Sequence, residues 1–139
     1  MQFYTLTREQ EELLDRVKKL SQKVILPLRQ ECDENEGVPL SLIETIANER
    51  LFGIHIPIKY SGIEMGVFTL SLVMEEISKV CGGIALIIGS TVLGSKCIVD
   101  YGTDEQKNKY LPLIATGKMM AAFALTEANA GSDPFGIET

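Results

Sequence analysis

The residue types best suited to chemistry lie together near the end of the chain, between Ala121 and Asp133. An apolar run, predicted to be a strand, ends in Thr126 and Glu127, and the small-residue turn Ala130-Gly131-Ser132-Asp133 follows. Such a turn offers exposed backbone N–H groups, a hydroxyl and close approach to the backbone, which together can hold a planar polar ring and a phosphate group. On residue chemistry alone a plain strand and polar turn is the better interpretation, because Asp133 before Pro134 is typical of a turn.

The other reactive residue types form no recognisable site. His55 lies between two isoleucines without a second histidine, so we predict a structural histidine. Cys32, Cys81 and Cys97 are an odd number without metal-ligand spacing, which predicts reduced thiols and a cytoplasmic protein. We predict no metal site and no catalytic residue within this chain.

Helical patterns fill most of the remaining sequence. Capping boxes are predicted at Thr7 with Gln10, at Ser41 with Glu44 and at Thr103 with Gln106. Pro27 falls inside the first apolar stripe, so a bend is expected near residues 22–24. Residues 54–57 are expected to be extended, because the residue before a proline disfavours the α region.

One apolar segment stands out from the others. Ile84–Val99 is apolar nearly all round, which predicts a helix buried in the middle of a bundle. We expect it to be too short and too polar for a membrane span. The sequence therefore predicts an all-α domain of five or six helices over residues 1–118, and the truncated start of a β-domain over residues 119–139.

Composition supports a single globular unit without nucleic-acid or membrane partners. Of 139 residues, 45% are hydrophobic and 23% are charged, both ordinary for such a domain. The net charge of −6 would repel nucleic acids and anionic membranes.

Several short motifs, in order, resemble those of the FAD-dependent acyl-CoA dehydrogenases. They are Ile25-Leu26-Pro27-Leu28, Leu51-Phe52-Gly53-Ile54, Tyr101-Gly102-Thr103-Asp104-Glu105-Gln106-Lys107, and Phe123 to Asp133. The resemblance extends along essentially the whole chain. It implies the N-terminal helical domain of a flavoenzyme that oxidises an acyl-CoA thioester to a trans-2-enoyl-CoA, with hydride transfer to FAD.

The resemblance also assigns roles to particular residues. It places FAD beside Phe123, Ala124, Leu125, Thr126, Gly131 and Ser132. It places the acyl-CoA beside Ser132, Ile84, Ile88 and Leu93. It further implies fatty acid β-oxidation, a homotetramer when full length, and an electron-transfer flavoprotein as electron acceptor.

Two alternatives remain open at this point. The chain could be a non-catalytic helical interaction module derived from this fold, or part of an acyl-CoA oxidase or enoyl-CoA reductase. We expect the chain to be inactive by itself, since the family's catalytic base lies in a later domain.

Overall fold

Helices account for most of residues 5–139, the residues that this computed structural model describes. In this part of the chain the α-helices are α1 (Arg8–Leu20), α2 (Leu26–Glu34), α3 (Leu40–Asn48), α4 (Gly66–Ser78), α5 (Gly82–Tyr101) and α6 (Asp104–Ala115). Short 3-10 turns lie at Leu51–Gly53, Ile58–Tyr60 and Pro134–Gly136. The predicted all-α fold is confirmed, although residues 1–4 of the predicted domain lie outside the described residues and the boundary at residue 118 stays a prediction.

Two of the three predicted capping boxes are present. The Thr7 hydroxyl accepts from the Gln10 backbone N–H, and the Gln10 side chain accepts from the Thr7 N–H. Thr103 and Gln106 form the same reciprocal pair at the start of α6. Two N–H groups that the helix leaves unpaired are satisfied at each site.

The capping box predicted at Ser41 is wrong. Helix α3 begins at Leu40, and Pro39 occupies the capping position without a side-chain hydrogen bond. The Pro39 carbonyl accepts from the Leu42 and Ile43 N–H groups at 3.0 and 3.3 Å. Because the ring fixes φ of Pro39 near the helical value, the helix begins before Ser41.

The irregularity expected near residues 22–24 is a π-helical turn, Ser21–Ile25, that joins α1 to α2. The Leu26 N–H donates to the Ser21 carbonyl, five residues back rather than four. Pro27 follows directly, at the start of α2. A proline ring clashes with the carbonyl four residues earlier in a regular helix, and the wider turn relieves that clash.

The main hydrophobic core lies between α1, α4 and α5. Its fully buried members include Leu13, Val17, Val73, Ile77, Ile84 and Ile88. Burying an aliphatic side chain of this kind contributes about 1.5–3 kcal/mol, so these helices are held together mainly by apolar contacts. A second cluster joins α6 to the segment around Ile56 and Tyr60.

Residues 54–57 form a turn, so the prediction of an extended segment is wrong. Ile54 has helical backbone angles, φ −55° and ψ −40°. The following loop closes onto this turn: the Ile63 N–H donates to the Gly53 carbonyl at 2.9 Å, and the Met65 N–H donates to the Ile54 carbonyl at 2.8 Å. These backbone bonds hold Gly53 and Ile54 in the turn, and the preference that Pro57 imposes reaches only its direct predecessor, Ile56.

Helix α5 is longer than predicted and only one of its faces is buried. It has 20 residues and is long and apolar enough to cross a membrane by length and composition alone, so the expectation that it is too short and too polar is wrong; core helices of globular proteins also meet these criteria. Here α5 packs against α4 and α6. Its opposite face is apolar but exposed, at Leu86, Leu93 and Tyr101. The expected burial all round is therefore wrong.

Residues 119–139, here called the terminal segment, contain no strand. Their regular backbone pairing consists of one isolated bridge between Glu127 and Ala130. The run before Thr126 has strand-like composition, but no strand lies beside it among the described residues to accept its backbone hydrogen bonds. The run is consequently irregular, and the prediction of a strand is wrong.

Candidate functional site

The terminal segment crosses α5 at Gly94. A Cβ atom added at Gly94 would lie 2.5 Å from the Ala122 carbonyl oxygen and 2.8 Å from its carbon. Real Cβ atoms essentially never approach so closely, so the segment lies against α5 because position 94 has no side chain. Leu93 directly precedes Gly94 in α5, and Phe123 directly follows Ala122 in the terminal segment.

All six residues predicted to bind the cofactor are exposed on the terminal segment. They are Phe123, Ala124, Leu125, Thr126, Gly131 and Ser132. Phe123 is 43% exposed and Leu125 is 49% exposed. Apolar side chains of that size are rarely left uncovered together, so they indicate a contact surface.

A tight turn brings Thr126 close to Gly131. The Glu127 N–H donates to the Ala130 carbonyl at 2.9 Å, and the Ala130 N–H returns a bond to Glu127 at 3.3 Å. An added Cβ at Gly131 would lie 4.0 Å from Thr126 Cγ2, which is an ordinary contact. The two halves of the predicted flavin signature are thus on one side of a single loop.

Glu127 anchors this loop through its carboxylate. It accepts hydrogen bonds from the Glu138 N–H at 2.9 Å, from the Thr139 N–H at 3.1 Å and from the Thr139 hydroxyl. The bond from the Glu138 N–H, followed by that from the Thr139 hydroxyl, lowers the pKa of Glu127. A carboxylate held in this way is a poor proton acceptor, so Glu127 orders the loop rather than serving as a base.

The residues predicted to bind the acyl-CoA do not all lie at this surface. Leu93 is 52% exposed and is adjacent to the Gly94 contact. Ile84 and Ile88 are fully buried and face the core on the opposite side of α5. Leu93 and Ser132 are therefore each exposed to solvent, whereas Ile84 and Ile88 are not.

Sequence reasoning missed three further exposed residues of α5. Leu86, Cys97 and Tyr101 follow the spacing that places them on the same face as Leu93. Cys97 and Tyr101 also line a cavity of about 260 Å³ with Gln106 and Tyr110 of α6. The spacing of seven and four residues could have identified this face from the sequence. It did not stand out, because both faces of α5 are apolar.

His55 is a buried structural residue, as predicted. Its Nε2 atom lies 3.0 Å from the Ser95 hydroxyl oxygen. Because that hydroxyl donates to the Thr91 carbonyl at 2.6 Å, the His55 Nε2–H is the donor to Ser95. Burial, with the charge of Lys96 adding to it, lowers the pKa of His55 to about 4, so the ring is neutral at pH 7.

Residues 5–139 provide no group of three His, Cys, Asp or Glu side chains that could hold a metal ion. The terminal segment and α5 offer hydroxyls, backbone N–H groups and apolar contacts. Such a surface can hold a planar ring and an acyl chain.

Comparison with known proteins gives the same assignment as the motifs. The family model described as "Acyl-CoA dehydrogenase, N-terminal domain" matches residues 7–118. The short-chain specific acyl-CoA dehydrogenase of Clostridium acetobutylicum is 36% identical over 131 residues, which cover 94% of this chain and 35% of that protein. The chain thus spans about a third of the length of this relative.

Solved structures share the fold. Butyryl-CoA dehydrogenase from Megasphaera elsdenii matches with a TM-score of 0.89 and 30% identity, over 99% of this chain and 37% of that one. An acyl-CoA dehydrogenase from Bacillus anthracis complexed with FAD matches with a TM-score of 0.83 and 32% identity, over 99% and 24%. A structure described as the electron transferring flavoprotein of Acidaminococcus fermentans matches with a TM-score of 0.89 and 34% identity, over 98% and 36%.

The family match over residues 7–118 covers helices α1 to α6. The matched part includes both capping boxes that the structure forms. This chain belongs to the acyl-CoA dehydrogenase family.

Proposed function

We propose that the complete protein is an FAD-dependent acyl-CoA dehydrogenase and that this chain supplies its N-terminal helical domain and one wall of the flavin and acyl-CoA site. The observation that carries the proposal is the contact between Gly94 and Ala122. That contact unites the outward face of α5 with a loop of exposed hydroxyl, glycine and apolar residues.

The residues of this surface fit the cofactor chemically. Thr126 and Ser132 are exposed polar residues on the loop, able to hydrogen bond the polar edge of a flavin or a phosphate group. Phe123 and Leu125 offer exposed apolar contact area for the ring. Gly131 keeps the backbone beside Thr126 uncovered, so that a ligand can approach its N–H groups.

Each group has a defined task in the proposed reaction. Bound FAD supplies a two-electron acceptor for the hydride that leaves the acyl-CoA β-carbon. Thr126 and Ser132 bind and orient the cofactor and the thioester. Phe123, Leu125 and Leu93 exclude water from the apolar part of the site. Proton abstraction is not assigned to Glu127, whose carboxylate is engaged by the loop.

The wider context follows from the family. We propose that the complete protein forms a homotetramer in the cytoplasm, takes part in fatty acid β-oxidation and delivers its electrons to an electron-transfer flavoprotein. The fold match to the Acidaminococcus fermentans structure supports that electron acceptor.

Two substitutions in the complete protein test the site. Thr126→Val should weaken FAD retention, and Ser132→Ala should raise the acyl-CoA concentration needed to bleach the flavin. Loss of one hydrogen bond costs about 0.5–1.5 kcal/mol, which corresponds to roughly 2- to 13-fold in affinity. Both variants are titrated anaerobically with acyl-CoA, and the flavin absorption band is followed.

Matched substitutions on α3 serve as controls. Ser41→Ala removes an exposed hydroxyl and Thr45→Val a half-buried one, both from a helix that does not carry the site. They should titrate like the parent. If Thr126→Val and Ser132→Ala also titrate like the parent and differ only in melting temperature, the two positions are structural.

The alternative functions give different results in the same assay. An interaction module would show no flavin absorbance in the complete protein. An acyl-CoA oxidase would pass its electrons to oxygen, and an enoyl-CoA reductase would run the reaction from the enoyl side. Steady-state assays with oxygen and with an electron-transfer flavoprotein as acceptors separate these cases.

A further inference from the structure

A second solvent-open cavity lies away from the proposed flavin surface. It has a volume of about 340 Å³ and is bounded by the end of α2, the loop that follows it, and the start of α5. Two cysteines line it, Cys32 from α2 and Cys81 from the junction between α4 and α5. Neither belongs to the surface of Gly94, Phe123 and Ser132.

The two thiols differ in their access to solvent. Cys32 is buried in the last turns of α2, whereas Cys81 is partly exposed and precedes the first residue of α5. Burial raises the pKa of the Cys32 thiol, and the nearby Cys81 raises it further. The two thiols thus line one cavity from two different elements, although 48 residues separate them along the chain.

The backbone that directly follows Cys81 has open space beside it. Cys81 is extended, with φ −156° and ψ 106°, and the next two residues are Gly82 and Gly83. A Cβ atom added at either glycine would meet nothing within 4 Å. The side chain of Cys81 makes no capping hydrogen bond to α5 that would hold it in place.

We propose that Cys32 and Cys81 form a redox-active dithiol, which a peroxide-class oxidant converts to a disulfide that links α2 to the start of α5. The proposal does not depend on the flavin function, because the cavity and both thiols lie outside the proposed flavin surface.

The reaction balances in two steps. The Cys81 thiolate attacks hydrogen peroxide, an S–O bond forms as the O–O bond breaks, and the departing hydroxide takes up a proton to give water. The sulfur of Cys32 then attacks the Cys81 sulfenic acid, and the disulfide forms. The sulfenic hydroxyl leaves with the Cys32 proton as a second water. Two thiols lose two electrons, and the peroxide gains them.

The test is thiol counting in the full chain, with Cys97→Ser as the background. Cys97 is exposed and would otherwise form disulfides between molecules. Hydrogen peroxide should abolish labelling of both remaining thiols and lower the mass by two hydrogen atoms. Digestion should yield a peptide pair joined through Cys32 and Cys81, and dithiothreitol should restore both labels.

Two further variants separate a disulfide from independent oxidation. In Cys81→Ser, which keeps a residue well suited to a helix N-terminus, the Cys32 thiol should survive peroxide because its partner is gone. In Cys32→Ala, Cys81 should stop at the sulfenic acid, which a dimedone-type probe captures. Thermal melts of the reduced variants establish that both fold. Equal oxidation of Cys32 with and without Cys81, or failure of the linked peptide to form, would overturn the proposal.

Discussion

Replacing Gly94 by alanine tests the contact on which the proposed site depends. The new methyl group would lie 2.5 Å from the Ala122 carbonyl oxygen, 2.8 Å from its carbon and 3.0 Å from its nitrogen. All three are backbone atoms, which cannot rotate aside as the end of a flexible side chain can. Either the terminal segment leaves α5 or the helix shifts, and both changes disrupt the contact between Gly94 and Ala122.

Two opposing effects determine the size of the change. Overpacking of a well-packed site costs about 1–3 kcal/mol. Alanine in place of glycine inside a helix returns up to about 1 kcal/mol. We therefore expect Gly94→Ala to lower the free energy of unfolding by up to about 2 kcal/mol.

The matched control lies in the same helix. An added Cβ at Gly83 meets nothing within 4 Å, so Gly83→Ala should be neutral or stabilising by up to about 1 kcal/mol. Both free energies come from denaturant unfolding followed by far-UV circular dichroism. FAD retention in the complete protein is measured in parallel. If Gly94→Ala is as stable as Gly83→Ala and retains FAD equally, the terminal segment does not rest on α5 and the reasoning fails.

Three shorter predictions follow from other features. Acidification from pH 7 to pH 4 should lower the free energy of unfolding by up to about 3 kcal/mol through His55. The pKa of His55 is about 4 in the folded chain and about 6.5 in the unfolded chain. The unfolded chain therefore takes up the proton first as the pH falls. Denaturant melts of the parent and of His55→Gln across this range measure the effect, which should be absent from the variant. Thr103→Ala should destabilise the chain by about 0.5–2 kcal/mol through loss of its cap, whereas Ser41→Ala, which removes no cap, should leave thermal melts unchanged. The 139-residue chain should show no micromolar affinity for FAD in equilibrium dialysis, because it provides a single wall of the proposed site.

The capping boxes show how far local sequence can be trusted. Thr7 and Thr103 each have an extended backbone directly before a helix, and both form the predicted reciprocal hydrogen bonds. Ser41 is followed three positions later by Glu44, which a capping box could use, but the helix has already begun at Leu40, after Pro39. A capping pattern is therefore reliable only when the preceding residues allow the chain to be non-helical at the cap.

The faces of α5 show what the sequence alone could not determine. Ile84, Ile88 and Leu93 are all large and apolar, yet the first two are buried and the third is exposed. Periodicity cannot rank two faces that are both apolar, because burial then depends on which neighbours pack against the helix. The terminal segment presents the same difficulty, since its strand-like composition has no neighbouring strand in the described chain.

The π-helical turn at Ser21–Ile25 bears on how this chain can change in length. In a regular α-helix, 3.6 residues complete a turn, so adding or removing one residue rotates everything beyond it by about 100°. A π turn accommodates one extra residue within a single turn and leaves the facing of the flanking helices unchanged. Loss of one residue between Ser21 and Ile25 would therefore leave Cys32 facing the cavity it shares with Cys81, but it would bring back the clash that the wide turn relieves at Pro27. The same deletion within α4 would turn half of a core face toward solvent.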